Sequence, residues 1–206
     1  MRSVGHVMEE LELLRAAHQF NSITWWDDTF TVFPKWINEF CDEYKARGFK
    51  AKMAACSRAD LICKNEDMIA KLADNGLDWL VIGFESGSQR MLDLLKKGVT
   101  VEQNIEAAEI CRKYGIKMFG TFMLGLPTES RDEQLATVEM IQTIAPEHPS
   151  LFYFTPIPGT DIYDFCQSNG LILRDDEFNI ERTNNWTPKL AGVDYEFLDQ
   201  LRGYVT

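Results

Sequence analysis

The chain has 206 residues, enough for one domain with a buried core and too few for two comfortable ones. Hydrophobic residues make up 45% and charged residues 26%, the proportions of a folded globular protein, which excludes a disordered or fibrous chain. The formal net charge of −11 repels a phosphate backbone, so nucleic acid is excluded as the expected partner.

No apolar run approaches the roughly 20 residues of a membrane-spanning helix, and the opening MRSVGHVMEE lacks the apolar centre of a signal peptide. A cytoplasmic location without a membrane partner is the expectation. Cys41, Cys56, Cys63, Cys111 and Cys166 show no CxxC or CxxxCxxC spacing, which argues against a disulfide framework or a zinc site and for small buried hydrophobes. His6, His18 and His148 are too dispersed for a metal site and are expected at the surface.

Residues 4–20 place Val4, Val7, Met8, Leu11 and Leu14 at helical spacing among charged residues, which predicts an amphipathic helix. SITWWDD then reads as a strand ending in two carboxylates. TVFPKWINEFCDEYKARG reads as a helix with a proline near its start and Gly48 as its stop. KAKMAAC is the next strand, and NEDMIAKLADNG a helix with Asn65 as N-cap and Gly76 as its C-terminal stop. WLVIGF is continuously apolar, the pattern of a parallel strand buried on both faces. TVEQNIEAAEICRKYG has capping-box spacing at Thr100 and Gln103 and closes on Gly115. The strand IKMFGTFMLG follows, then a helix headed by a second capping box at Ser130 and Glu133, the strand SLFYF, and a helix starting near Thr160. Residues 175–206 are more polar, with one short helix around Tyr195 to Tyr204.

Five strands and about six helices in alternation predict an α/β fold with a parallel sheet. In such sheets the loops at the C-terminal strand ends carry chemistry while the opposite edge supports the core. Those ends hold Asp27 and Asp28; then Ser57, Arg58 and Asp60; then Glu85, Ser86 and Ser88; then Gly125, Leu126, Pro127 and Thr128. A carboxylate directly after a buried strand, as at Glu85, requires a partner or a ligand hydroxyl to offset its desolvation. Asp27 and Asp28 fit a turn cap equally well, Arg58 fits a pair with Asp60 or Glu85, and Gly125 fits a shaped loop. The chain opens on a helix, so the strand that would begin the first β/α unit is expected to be missing.

GFESGSQRMLDLLKKGVTVEQ (83–103), GIKMFGTFMLGLPTES (115–130) and TPIPGTDIYDF (155–165) together resemble the radical S-adenosylmethionine (SAM) superfamily, specifically the branch often fused to a cobalamin-binding domain. The resemblance runs from about Arg2 to Leu173, with WWDDTF and ACSRADLI in order between its anchors. It implies a partial open (β/α)6 TIM-like barrel over residues 1–174, lacking the first strand, and a C-terminal tail over 175–206. In that family the loop after the first strand carries CxxxCxxC, whose thiolates hold a [4Fe–4S] cluster. This motif is absent, so the resemblance implies a fragment of a longer parent, inactive alone, or a natural cluster-less relative.

The resemblance further implies SAM as cofactor. Asp27 and Asp28 stand where the family's second-strand segment touches the methionine amino group, without its usual glycine-rich form. Ser57 and Arg58 stand at the methionine carboxylate or ribose, Glu85 at the ribose hydroxyls, and Gly125 with Leu126 along adenine. In the parent, SAM would be cleaved reductively to a 5′-deoxyadenosyl radical, or a methyl group would pass through cobalamin to an unknown small-molecule substrate. The implied partners are an upstream segment or a cobalamin-binding domain, and self-association through the WW- and VIGF-type segments. Two other readings stay open: a metal-dependent barrel hydrolase or lyase using Asp27, Asp28 and Glu85, and a non-catalytic module that binds a nucleotide or a partner protein.

Overall fold

The computed structural model describes residues 2–173 and 189–205. The first helix, α1 (Val4–Ala17), starts at Ser3, whose hydroxyl accepts from the His6 amide, and buries Val4, Val7, Met8 and Leu11. Strand β1 (Ser22–Thr24) is shorter than SITWWDD predicts, and the chain passes through a 3-10 turn (Phe30–Val32) into α2 (Pro34–Ala46). Pro34 is tolerated in the first turn because its missing N–H would have no helical acceptor there.

Strand β2 (Lys52–Ser57) is followed by two helices rather than one, α3 (Ala59–Lys64) and α4 (Glu66–Asp74). Asn65 sits at the N-cap position of α4 without making a capping bond. Its side-chain amide donates back to the Leu61 carbonyl at 2.9 Å, so it closes α3 instead of opening α4. Strand β3 (Leu77–Glu85) is again followed by two helices, α5 (Gln89–Leu94) and α6 (Val101–Lys113). Then come β4 (Lys117–Leu124), α7 (Arg131–Ile144), β5 (His148–Tyr153), α8 (Asp161–Ser168) and α9 (Tyr195–Val205). Both capping boxes form: Thr100 and Gln103 exchange bonds at 3.0 and 3.2 Å, and Ser130 and Glu133 at 2.9 and 3.3 Å. The described residues thus hold nine helices; α3 and α5, additional to the seven segments read in the sequence, are six residues each, too short to declare a helical period.

The strands form one parallel five-stranded sheet in the order β1-β2-β3-β4-β5. Each crossover therefore advances one place, and no reversal of order creates the switch point of a doubly wound sheet. Such progressive winding is that of a barrel.

The residues group into two compact units, Met1–Gly83 with Glu106–Phe119 and Phe84–Ile105 with Gly120–Thr206. The first is built on Ile37, Phe40, Tyr44, Met53, Ile69 and Leu80, all essentially without solvent exposure. Trp25 stacks on Phe30 with centroids 5.2 Å apart, and Trp36 on Phe40 at 5.5 Å. In the second, Phe84 stacks on Phe122 at 5.5 Å, and Met91, Leu126, Phe154, Cys166 and Leu190 form a buried cluster. Helix α9 belongs to this unit. Ile82 and Phe84 of the VIGF segment are fully buried, whereas Trp26 is 88% exposed. Cys41, Cys111 and Cys166 are buried; Cys56 and Cys63 are partly exposed, and all five are free thiols.

Candidate functional site

In the first unit the chain leaves β1 with one further ladder bond, from the Trp25 amide to the Ala54 carbonyl, before Trp26, Asp27 and Asp28 turn outward and expose their side chains. The Cys56 thiol of β2 is held above its ordinary value, first by burial and then by the charges of Asp28 and Asp27. That coupling places both carboxylates within electrostatic reach of the C-terminal end of β2. Asp27 also lines a recess of about 510 Å³ whose walls include Arg2, Trp25, Phe30, Phe33 and Trp36. The indole Nε1 of Trp25 is buried there without a hydrogen-bond partner.

Ser57 is the last residue of β2 and is 5% exposed. Its hydroxyl shares a 2.7 Å bond with Thr31 from the 3-10 turn, so it already holds that turn against the strand. Arg58 follows at the head of α3 and directs Nε to Asp60 at 2.9 Å, the structural pairing open in the sequence.

In the second unit Glu85 ends β3 with φ 64°, a left-handed conformation that side chains other than glycine's rarely adopt. The strand end is anchored one residue earlier, where the buried Asn104 amide donates to the Phe84 carbonyl at 3.0 Å. The twist aims the Glu85 carboxylate at Lys97, whose Nζ lies 2.7 Å from Oε1, with both side chains mostly buried. Lys97 was not singled out in the sequence. The signal available was its position in a glycine-bounded loop twelve residues downstream.

Gly125 and Leu126 follow the end of β4. Gly125 takes φ +76°, and both amide N–H groups donate to Oε2 of Glu129 at 2.7 and 3.1 Å. The Leu126 carbonyl accepts from the Glu129 amide, and the Leu126 side chain is 1% exposed within the Met91–Phe154 cluster. The polar backbone of Leu126 is therefore already bonded within the chain. Burial pushes the Glu129 carboxyl up to about 7 against the lowering effect of the two amides. The Gln134 side-chain amide also lies against the Glu129 carboxyl and opposes the upward shift. Glu129 too was missed, although a carboxylate three residues beyond the Gly125–Leu126 pair is within local reach of turn amides.

Neither unit brings together a metal-binding set: among the described residues no group of three or more His, Cys, Asp or Glu side chains is placed to hold an ion. The model of the radical SAM superfamily matches residues 1–141 of the chain. The chain belongs to the radical SAM superfamily. It is 31% identical to an uncharacterized methyltransferase of Pyrococcus horikoshii over 171 residues, 83% of this chain and 37% of that protein. Its fold matches the radical SAM methyltransferase TsrM from Kitasatospora setae, solved with cobalamin and a [4Fe–4S] cluster bound, with TM-score 0.72 and 17% identity over 86% of this chain and 36% of that one. It also matches the cobalamin-dependent SAM radical enzyme OxsB, solved with aqua-cobalamin bound, with TM-score 0.70 and 19% identity over 92% of this chain and 34% of that one. The radical SAM chain described here thus spans little more than a third of these relatives, and the structural likenesses show a shared partial barrel.

Proposed function

We propose that this chain is the SAM-binding part of a larger radical SAM enzyme of the cobalamin-linked branch, whose reaction is reductive cleavage of SAM or methyl transfer to a small molecule. The observation that carries the reading is the placement of the candidate polar residues at the C-terminal ends of successive parallel strands in a chain of this superfamily. Asp27 and Asp28 are exposed carboxylates suited to an ammonium group. Arg58 offers a guanidinium fork to a carboxylate. Glu85, held by Lys97 through one oxygen, is suited to accept from ribose hydroxyls with the other. Gly125 and Leu126 would meet adenine as apolar surface, their N–H groups being taken by Glu129. Ser57 would act through the Thr31 turn.

A [4Fe–4S] cluster requires three thiolates in one place. The described residues supply no such set, so the chain does not fit that group and no step through it is assigned. The part performed by these residues is binding and orienting SAM, and the isolated chain is expected to lack turnover. The same absence leaves the metal-dependent hydrolase reading without a ligand set among the described residues.

Calorimetric titration of the chain with S-adenosylhomocysteine (SAH) tests the reading. Saturable one-to-one binding is expected, weakened about tenfold in Glu85→Gln by loss of a charge-assisted hydrogen bond. Absence of binding up to millimolar SAH, or equal binding by the variant, would sink the assignment. Anaerobic reconstitution with iron and sulfide giving a stable brown protein that cleaves SAM would refute the expected lack of turnover.

A further inference from the structure

Gly125 has a left-handed φ of +76°, and a Cβ at this position would lie 2.9 Å from Cδ1 of Leu198 and 3.2 Å from Cγ1 of Val193. The group that closely approaches this glycine is therefore the chain's own C-terminal segment. Leu198 is fully buried, in the first turn of α9. Helix α9 is tied down at several points of the second unit: Tyr153 Oη donates to Asp199 at 2.6 Å, Arg131 pairs with Asp194 at 2.6 Å, and the Arg131 guanidinium lies 4.7 Å above the Phe197 ring. The hydroxyl of Tyr195 accepts from the Lys189 and Leu190 amides, both at 2.9 Å, and so fixes the approach to the helix. The Gly125–Leu126 turn thus has Glu129 holding its N–H groups and Leu198 on the side where a Cβ of residue 125 would project.

We propose that Leu198 is a positioning residue for SAM: by packing on Gly125 it sets the shape of the turn that meets the adenosyl group, so that a helix about 70 residues downstream controls cofactor affinity. The inference rests on the reading of Gly125 and Leu126 as adenine-facing. One physical feature supports it: a Cβ at 125 would be strained at φ +76° and would meet Leu198 and Val193, which couples these positions sterically.

The test is SAH calorimetry on the full chain, together with hydrogen exchange of the Gly125 and Leu126 amides. Leu198→Ala is expected to weaken SAH about tenfold and to speed exchange of those two amides, while Leu198→Met, which keeps the volume, restores both. Gly125→Ala is expected to bind weakly, with part of the loss recovered in Gly125→Ala/Leu198→Ala because the approach of Leu198 is relieved while the positive φ and the Val193 contact remain. Should Leu198→Ala fail to fold by circular dichroism, Leu198→Val carries the same comparison. Wild-type binding with unchanged affinity and exchange in the Leu198 variants overturns the role of α9 and leaves the SAM reading standing. Equal loss in Leu198→Ala and Leu198→Met also overturns it. No SAH binding by the wild type overturns the reading of Gly125–Leu126 and this inference with it.

Discussion

Arg90 and Glu133, 43 residues apart, meet as a fork: Nε lies 2.8 Å from Oε1 and Nη2 2.5 Å from Oε2. The same guanidinium donates to the carbonyl of Thr128 at 2.7 Å and to its hydroxyl at 3.1 Å, holding a residue with φ 66°. Glu133 meanwhile accepts from the Ser130 amide and the Ser88 hydroxyl. The GSQR and GLPTES segments are thus one network, with the turn after β4 pinned to the head of α5.

Replacing Arg90 by Met should therefore destabilise the fold measurably at pH 7, by less than the fork geometry alone suggests because Arg90 is half-exposed. The Glu133 carboxyl is held down at about 2, first by Arg90. A depressed carboxylate contributes stability above its ordinary value of 4.5 and loses it as the pH falls toward about 2. Urea denaturation of wild type and Arg90→Met should show a gap that closes between pH 4.5 and 2. A pH-independent gap would show that the ion pair is not its source.

Glu129 has the opposite sign. Its folded value of about 7 lies above the ordinary 4.5, so between these pH values the folded state holds a proton that the unfolded chain has released. Stability contributed by the neutral form is present at pH 4.5 and is lost as pH rises to about 7, by roughly 2–4 kcal/mol. In Glu129→Gln the amide oxygen still accepts from Gly125 and Leu126, and the NH₂ group supplies a buried donor. The variant is expected to be more stable than wild type at pH 8 and to lose this pH dependence in thermal melts; a destabilised variant at pH 8 contradicts the argument.

The bond between Ser57 and Thr31 separates a structural from a ligand role for Ser57. Ser57→Ala alone should cost about 1–3 kcal/mol, because it strands the fully buried Thr31 hydroxyl. Thr31→Val combined with Ser57→Ala should recover most of that stability. If the double variant also regains wild-type SAH affinity, Ser57 serves the turn; stability regained with SAH binding still weak would mean that the hydroxyl touches the ligand.

The alternation of strands and helices was legible because each element carries its signal within a few residues. Ser130 and Glu133 are three apart, and so are Thr100 and Gln103; both boxes form as their spacing predicts. Asn65 shows the limit of such reading, since its amide had two helices within reach and bonded the one behind it. Gly125 shows another: the sequence suggests a shaped loop or a close approach to a ligand, while the side chain found against it, Leu198, lies in a helix far downstream.

The sequence by itself determined the alternation of strands and main helices, because caps and periodicity are local properties, and its motifs resembled the superfamily; burial of both faces of WLVIGF was not met, since β3 buries one face and leaves the other partly exposed. Tertiary structure alone decided that Lys97 holds Glu85, that Glu129 takes the amides of Gly125 and Leu126, and that α9 packs on the end of β4. Those pairings depend on strand register and helix docking, which are set by the burial of many side chains at once.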